Sequence, residues 1–375
     1  MPNLALKNLL HDKLRSTMTI AGVAFAVTLV FVQVGLFLGI LDNASVTIDN
    51  IQADLWVTSR NTPNVDFAHG FPETRVQRVR SVPGVERADN LLVQFLNLAL
   101  PDGAEEGMLV YGLEDFARWG IPWIVESGDL SDLKRGDYMF LDASAERRFG
   151  PFSVGEYREV MGYRVKIIGR TRDALSFTTS PLAFLDYGLV QKLAGERMEG
   201  RSTYILVKLA PGADVEAAKT EIRKRLPYND VYTRAEWAKR SRDYWVASTG
   251  IGLNMYLTVF LGCLVGVVVV TQTLYTSTME HIKEFGTVKA IGGSNLDIYR
   301  ILGAQALIAA VVGFLAGRLM AFALAPAMAK IRLKLIIPTE FAAIVFAGTV
   351  VLCLVAALVS FRKVAKIDPA LVFRG

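Results

Sequence analysis

"TMTIAGVAFAVTLVFVQVGLFLGIL", residues 17–41, holds no charged side chain and a single strongly polar one, Gln33. About 20 apolar residues in a helix cross a hydrocarbon core of roughly 30 Å, so this run is long enough to span a bilayer. Residues 250–277, 301–325 and 342–361 repeat the pattern, with Arg318 their one charge. Four transmembrane helices are therefore expected. The whole-chain values agree: 375 residues, 52% of them hydrophobic, with a mean hydropathy of +0.34, lie away from an ordinary soluble enzyme. A cleaved signal peptide is the alternative for the first run. Its apolar length exceeds the roughly 7–15 residues of a signal core, and "LDNASVT" after it is a poor cleavage site, so an uncleaved anchor is expected.

Between the first two runs lie 208 residues, 42–249, with 27 Lys and Arg against 30 Asp and Glu. That domain is close to neutral, and the net charge of +5 comes from the segments beside the membrane. Lys7, Lys13 and Arg15 precede helix 1. Lys283, Lys289 and Arg300 lie between helices 2 and 3, and Arg362, Lys363, Lys366 and Arg374 follow helix 4. Basic residues on short loops favour the cytoplasm, which puts both termini inside and the large domain outside. Lys330, Arg332 and Lys334 in the helix 3–4 loop oppose this and are outnumbered. The expected fold is a membrane α-helical protein of four transmembrane helices with a large extracytoplasmic α+β domain inserted between helices 1 and 2. Its segments are 1–16 (cytoplasmic), 17–41 (helix 1), 42–249 (periplasmic domain with stalk segments), 250–277 (helix 2), 278–300 (cytoplasmic coupling segment), 301–325 (helix 3), 326–341 (external loop), 342–361 (helix 4) and 362–375 (cytoplasmic tail).

Within the domain, "ADLWVTS" from Ala53 reads as a strand, and Val76, Val79 and Val82 recur at helical spacing. "LLVQFLNLAL" from Leu91 and "GMLVYGL" from Gly107 flank a Pro-Asp-Gly turn signal and so form a hairpin. "YREVMGYRVKIIGRTR" from Tyr157 reads as another. "STYILVKL" is a strand, a helix starts near Asp214, and "DVYT" closes the domain, whose irregular middle suggests two lobes. Residues 234–250 contain no proline, so helix 2 is expected to start outside the membrane as a stalk, with "DNASVTIDNIQ" rising beside it.

Catalytic patterns are missing from the domain. It has one His, His69, no Cys, and no G-x-S-x-G or H-E-x-x-H. Arg147 and Arg148, or Arg170 and Arg172, could meet an anion; a solvated strand edge is the plainer reading. Cys263 and Cys353 both fall in membrane runs, so the domain has no disulfide and relies on packing. In the spans, Arg318 is the one ionisable group, and such groups at membrane depth are costly and often functional. Its place towards the outer end of helix 3 also lets it snorkel to the interface. A polar path needs several such groups, so a solute route through the helices is not expected. Gly35 and Gly39, Gly262 and Gly266, and Gly313 and Gly317 are three GxxxG pairs, the spacing that lets helix backbones approach closely within the bundle or across a dimer.

"MEHIKEFGTVKAIGGSNLDIYR", from Met279 to Arg300, joins helices 2 and 3. Ile282, Phe285, Val288 and Ile291 make one apolar stripe on a helix, ringed by Glu280, Lys283, Glu284 and Lys289. Gly292 and Gly293 stop that helix, and Ser294 with Asp297 resembles the start of the next. A bounded amphipathic helix results, suited to a protein groove or to the lipid surface.

The same stretch resembles the signature after the second helix of the MacB/FtsX-like ABC-transporter permeases, roughly R-x-x-E-I-G-x-x-K/R-A-I-G-A. Glu284, Phe285, Gly286, Lys289, Ala290, Ile291 and Gly292 fall on its positions, while the arginine-rich start is reduced to His281 and Lys283. "KIDPALVFRG" at the end and "LALKNLLHDKLRSTMTIAGVAFAV" at the start are similar to the family's terminal patterns. "ADLWVTS", "PGVERADNLLVQF", "MLVYGLE" and "YILVKLAPGADVEAAKTEIRKRLP" look most like DevC-type permeases. The resemblance implies a non-catalytic permease of the bacterial inner membrane that works as a homodimer. It implies a separate cytoplasmic ABC ATPase holding ATP and Mg, since G-x-x-x-x-G-K-[ST] is absent here. ATP hydrolysis would move the external domain, through Glu280, Ile282, Lys283, Glu284, Phe285, Gly286, Lys289, Ile291 and Gly292 docked on the ATPase. A periplasmic HlyD-like adaptor and an outer-membrane channel are further implied partners, beside membrane lipid; no cofactor bound by this chain, no metal site and no nucleic acid are expected. An FtsX-like regulator of a cell-wall hydrolase and a LolC/LolE-like lipoprotein-extracting permease are the alternatives within the same resemblance.

Overall fold

The computed structural model describes residues 13–177, 180–280, 294–330 and 333–364. Contacts divide the chain into two units, Met1–Gly39 with Gly250–Gly375, and Ile40–Thr249. Helix α1 (Lys13–Asn43) comes first, followed by α2 (Val46–Asn50), β1 (Leu55–Ser59), β2 (Phe71–Pro72), α3 (Arg75–Arg80), β3 (Val85–Ala99) and β4 (Glu105–Leu113). The middle contains β5 (Val125–Ser127), β6 (Tyr138–Asp142), α4 (Glu146–Phe149), β7 (Tyr157–Val160), β8 (Tyr163–Thr171) and β9 (Leu182–Asp186). Then come α5 (Tyr187–Ala194), β10 (Arg201–Ser202), β11 (Tyr204–Leu209), α6 (Val215–Arg225), β12 (Asn229–Thr233) and α7 (Arg234–Ser248). Helices α8 (Ile251–Glu280), α9 (Asn295–Lys330) and α10 (Thr339–Val364) end the described chain.

Helices α1, α8, α9 and α10 each carry a stretch long and apolar enough to cross a membrane: Ser16–Asn43, Ile251–Thr273, Ile298–Lys330 and Thr339–Val359. Helical hydrogen bonding continues past the apolar runs read from the sequence. Residues 326–330, expected in the outer loop, are the last turn of α9, which runs through Pro326.

In the domain, β12, β1, β11, β3, β4, β9, β6, β8 and β5 stand in that order, with β7 pairing β3 and β8. Strand β3 is the spine. Its residues up to Leu91 pair antiparallel with β11, and those from Leu92 pair antiparallel with β4. Parallel pairs β4–β9 and β6–β8 make the middle a mixed sheet. The expected hairpins β3–β4 and β7–β8 are both present.

Successive strand residues point to opposite faces, and the burial follows that period. Trp56, Leu91, Tyr111, Phe140, Phe184 and Tyr204 all fall on one face and form a single core with Trp237 of α7. On the other face their neighbours split. Leu55, Val57, Ile205 and Val207 pack under Val76 and Val79 of α3 and Ile222 of α6, while Val110, Met139, Ala183 and Leu185 pack under Leu189, Val190 and Leu193 of α5. Two lobes thus exist on one face only; a continuous core joins them on the other.

Caps fix the helix starts. Asp214 accepts the N–H groups of Glu216 and Ala217 at 2.9 and 3.1 Å, ahead of α6, and Asp186 accepts that of Gly188 at 2.9 Å, ahead of α5. The arginines offered above as an anion site are engaged otherwise: Arg148 pairs with Glu106, and Arg170 and Arg172 both pair with Glu126.

Gly169 of β8 faces the Phe140 ring so closely that an added methyl would overlap it, whereas a methyl on Gly107 of β4 would come no nearer than 4.0 Å to a neighbour, Asn97. Gly169→Ala is expected to destabilise the domain by about 1–3 kcal/mol, the usual effect of overpacking. A thermal melt should show that loss and leave Gly107→Ala near wild type.

Candidate functional site

Helix α1 is the centre of the membrane unit. A methyl placed on Gly262 of α8 would meet Leu29 of α1 at 2.7 Å, and one on Gly266 would meet Ala26 at 2.9 Å. On α9, a methyl on Gly313 would meet Val23 at 2.6 Å, and one on Gly317 would meet the Ala24 carbonyl at 2.6 Å and Val27 at 2.8 Å. A methyl on Gly35 would meet Leu335 at 2.7 Å, and the Gly35 carbonyl accepts the Ile336 N–H at 3.1 Å. Gly39 abuts the Lys334 carbonyl. All three GxxxG pairs therefore close on contacts within one chain. Gly22, which is in no such pair, also faces α8, through Val269.

The rest of the bundle core is small and apolar, including Ala306, Ala310, Ala321, Ala356 and Ala357, with Phe31 set 5.9 Å from both Phe314 and Phe341. The hydroxyls of Thr28, Thr273 and Thr349 turn back on their own helices. Thr28 donates to the Ala24 carbonyl at 2.7 Å, with Gly317 at 3.1 Å; Thr273 donates to Val269 at 2.7 Å and Thr349 to Val345 at 2.7 Å. Such bonds satisfy polar groups where no water is present. A cavity of about 370 Å³ lies between α1, α8 and α10, walled by Val27, Val259, Val270, Ile344 and Leu352 among others, with no charged residue in its lining. Arg318 is half-buried, and its guanidinium lies 5.6 Å from the Phe322 ring, one turn further along α9.

Of the expected coupling residues, Glu280 is the exposed last residue of α8. Ile282, Lys283, Glu284, Phe285, Gly286, Lys289, Ile291 and Gly292 lie outside the described residues. Helix α9 begins at Asn295, directly after Ser294.

In the domain unit, α7 replaces the continuous stalk expected from the sequence. Gly250 takes a left-handed conformation, φ +66°, and separates α7 from α8. Thr233 and Glu236 form a capping box at its start. Burial pushes the Glu236 carboxyl up, but Lys219 and the Thr233 N–H more than offset this and hold it below its ordinary value. Lys219, itself buried, bonds both Glu236 oxygens at 2.6 Å and so ties α6 to α7. The expected partner after helix 1 is also in place: Ser241 donates to the Ala44 carbonyl at 2.6 Å, and Arg242 reaches Ser45 at 2.6 Å and Asp49 at 3.3 Å. Trp237 stacks on Tyr232 at 5.3 Å and Trp245 on Phe177 at 3.9 Å.

Comparison with known proteins matches both units. The profile of the MacB-like periplasmic core domain covers residues 16–225, and that of the FtsX-like permease C-terminal region covers residues 256–369. The chain belongs to the MacB/FtsX-like family of ABC transporter permeases. An uncharacterised ABC transporter permease of Mycobacterium tuberculosis is 25% identical over 375 residues, 99% of each chain. One from Methanocaldococcus jannaschii is 25% identical over 241 residues, 59% of this chain and 58% of its own. Among solved structures, the periplasmic region of MacB from Actinobacillus actinomycetemcomitans aligns at 12% identity and a TM-score of 0.40, covering 50% of this chain and 92% of that one. In this MacB/FtsX-type permease, the buried polar pair Asn64 and Asp66 went unnoticed in the sequence, where "NTPNVDF" carries only a turn signal.

Gly262→Leu forces a branched side chain against Leu29 and is expected to loosen the helix bundle by about 1–3 kcal/mol. Gly303, with open space around it, serves as the control. Size-exclusion and thermal unfolding in mild detergent should separate Gly262→Leu from wild type and leave Gly303→Ala unchanged.

Proposed function

We propose that this permease is the force-transmitting subunit of an ABC-type export complex. The observation that carries the reading is the chemistry of the bundle. The hydroxyls of Thr28, Thr273 and Thr349 bond main-chain carbonyls of their own helices, the cavity lining holds no charged residue, and Arg318, the one charge within the apolar runs, rests beside an aromatic ring. The cavity offers a polar cargo no charged group to replace its water, so the work of ATP hydrolysis is delivered through movement of the domain instead.

In this reading ATP and Mg are bound by a separate cytoplasmic ATPase, because the sequence has no phosphate-binding loop. The segment after α8 docks on that ATPase, with Ile282, Phe285 and Ile291 entering a groove and Glu284 and Lys289 meeting charges at its rim. Both termini are cytoplasmic and the domain is periplasmic, by the balance of basic residues. Two copies work as a homodimer. The likeness to DevC-type permeases favours a HlyD-like adaptor and an outer-membrane channel as further partners. The LolC/LolE-like reading has one observation in its favour, since an apolar cavity of about 370 Å³ suits an acyl chain.

Co-purification with the ATPase encoded beside this chain tests the proposal. ATP hydrolysis in lipid should depend on the permease, and Glu284→Lys or Ile291→Asp should uncouple hydrolysis from transport while the protein stays folded. Normal transport by both variants would falsify the docking role.

A further inference from the structure

The core of the domain contains a carboxylate that no ion pair accounts for. Asp66 is 4% exposed, and its Oδ2 accepts no hydrogen bond among the described residues. It belongs to a loop built from within: the Asn64 Oδ1 accepts the N–H groups of Asp66 and Phe67 at 2.9 and 2.8 Å. Tyr204 of β11 donates to the loop's carbonyls at Asn64 and Val65, at 3.1 and 3.0 Å.

The same loop is held by α7. The Arg240 Nε donates to the Thr62 carbonyl at 3.2 Å, and the Phe67 ring lies 6.2 Å from Tyr244 and 5.6 Å from Trp245. Trp245 stacks on Phe177, whose main-chain N–H faces the Asp66 carboxyl. Seating this loop therefore joins the last turns of α7 to the core, two residues before α8 begins.

We propose that Asp66 is a proton-operated latch: with its carboxyl protonated, the loop Thr62–Phe67 and the C-terminal turns of α7 stay seated in the core, and ionisation releases them. Among the described residues, the groups that face it supply no cation. From β4 and β11 these are the Tyr111 and Tyr204 phenols, both kept neutral as burial pushes them up, with the Asp66 charge adding to the effect. From α7, Arg240 is committed to the Thr62 carbonyl and the Tyr232 ring, and Lys239 to Asp243. Asp49 of α2 is engaged by Ser45 and Arg242. From the segment at Phe177, the main-chain N–H faces the carboxyl.

Burial raises the Asp66 carboxyl to about 7 from an ordinary 3.8, against the weaker pull of the Phe177 N–H. The seated loop thus binds a proton that the released, hydrated loop does not. Seating is strongest below about pH 4, weakens as pH rises through the interval up to about 7, and is constant above it. The latch stands on this geometry alone. Its use as a brake on the domain's movement rests on the export reading above, and failure of either leaves the other open to its own test.

Hydrogen exchange of the full-length protein in lipid nanodiscs, corrected for intrinsic exchange rates, reads the latch directly. One proton per opening predicts that protection of residues 62–67 and 240–248 falls about tenfold per pH unit between pH 5 and 7 and levels off above. Asp66→Asn should remove the slope and keep the segments protected at pH 8. His69→Gln, which removes the exposed imidazole beside the loop, should leave the slope intact. A flat wild-type profile, a slope that persists in Asp66→Asn, or one that vanishes in His69→Gln overturns the proposal. Should Asp66→Asn fail to accumulate, the other two profiles decide: both sloped supports the latch, and either one flat rejects it.

Discussion

Close approach of backbones on helix α1 is the constraint that organises the membrane unit. Lipid tails are as apolar as the helices, so burial of apolar area cannot drive the helices together; packing contacts and hydrogen bonds must. Gly262 and Gly266 bring α8 onto Ala26 and Leu29, and Gly313 and Gly317 bring α9 onto Val23 and Val27. Side chains at those glycines would force the helices apart. The cavity left in the resulting interior has no charged lining to hydrate a polar cargo, which is why the domain, and not a pore, carries the functional reading.

The domain solves a different problem with the same economy of contacts. One sheet face is a continuous aromatic core from Trp56 through Tyr111 and Phe184 to Trp237, and α7 is part of it. A helix that ends two residues before α8 is thereby rooted in the domain through Trp237, through Lys219 on Glu236 and through Ser241 on Ala44. Asp66 sits in that root and weakens it in a pH-dependent way, because a buried carboxyl without a cation is more stable protonated.

Much of this was legible in the sequence, and the gaps have physical causes. The four spans follow from length and hydropathy, the two hairpins from alternation and turn residues, and the start of α6 from Asp214. The single sheet did not, because Glu86, Arg87 and Asp89 disguised the first half of β3 as a loop. Those charges are accommodated at the strand's flank, where Arg80 pairs with Asp89, the Trp119 indole donates to Asp89 at 3.1 Å, and Arg87 lies 5.1 Å from the Trp119 ring. The separate identity of α7 was written as Thr233-x-x-Glu236, a capping box hidden by the run-on into helix 2. The glycine pairs were visible but not their partners, since spacing alone does not say which neighbour a helix faces. Asp66 left no trace, because burial of a lone loop carboxylate depends on tertiary contacts.

Mechanical transmission makes one demand that no passive scaffold meets: nucleotide bound on the cytoplasmic side must change the arrangement of α7 in the assembled complex. In the proposed homodimer bound to its ATPase, spin labels at Lys239, an exposed position on α7, would report that arrangement as a distance between the two copies in lipid. The account predicts distinct distance distributions with and without ATP and Mg. Identical distributions in both states would contradict it.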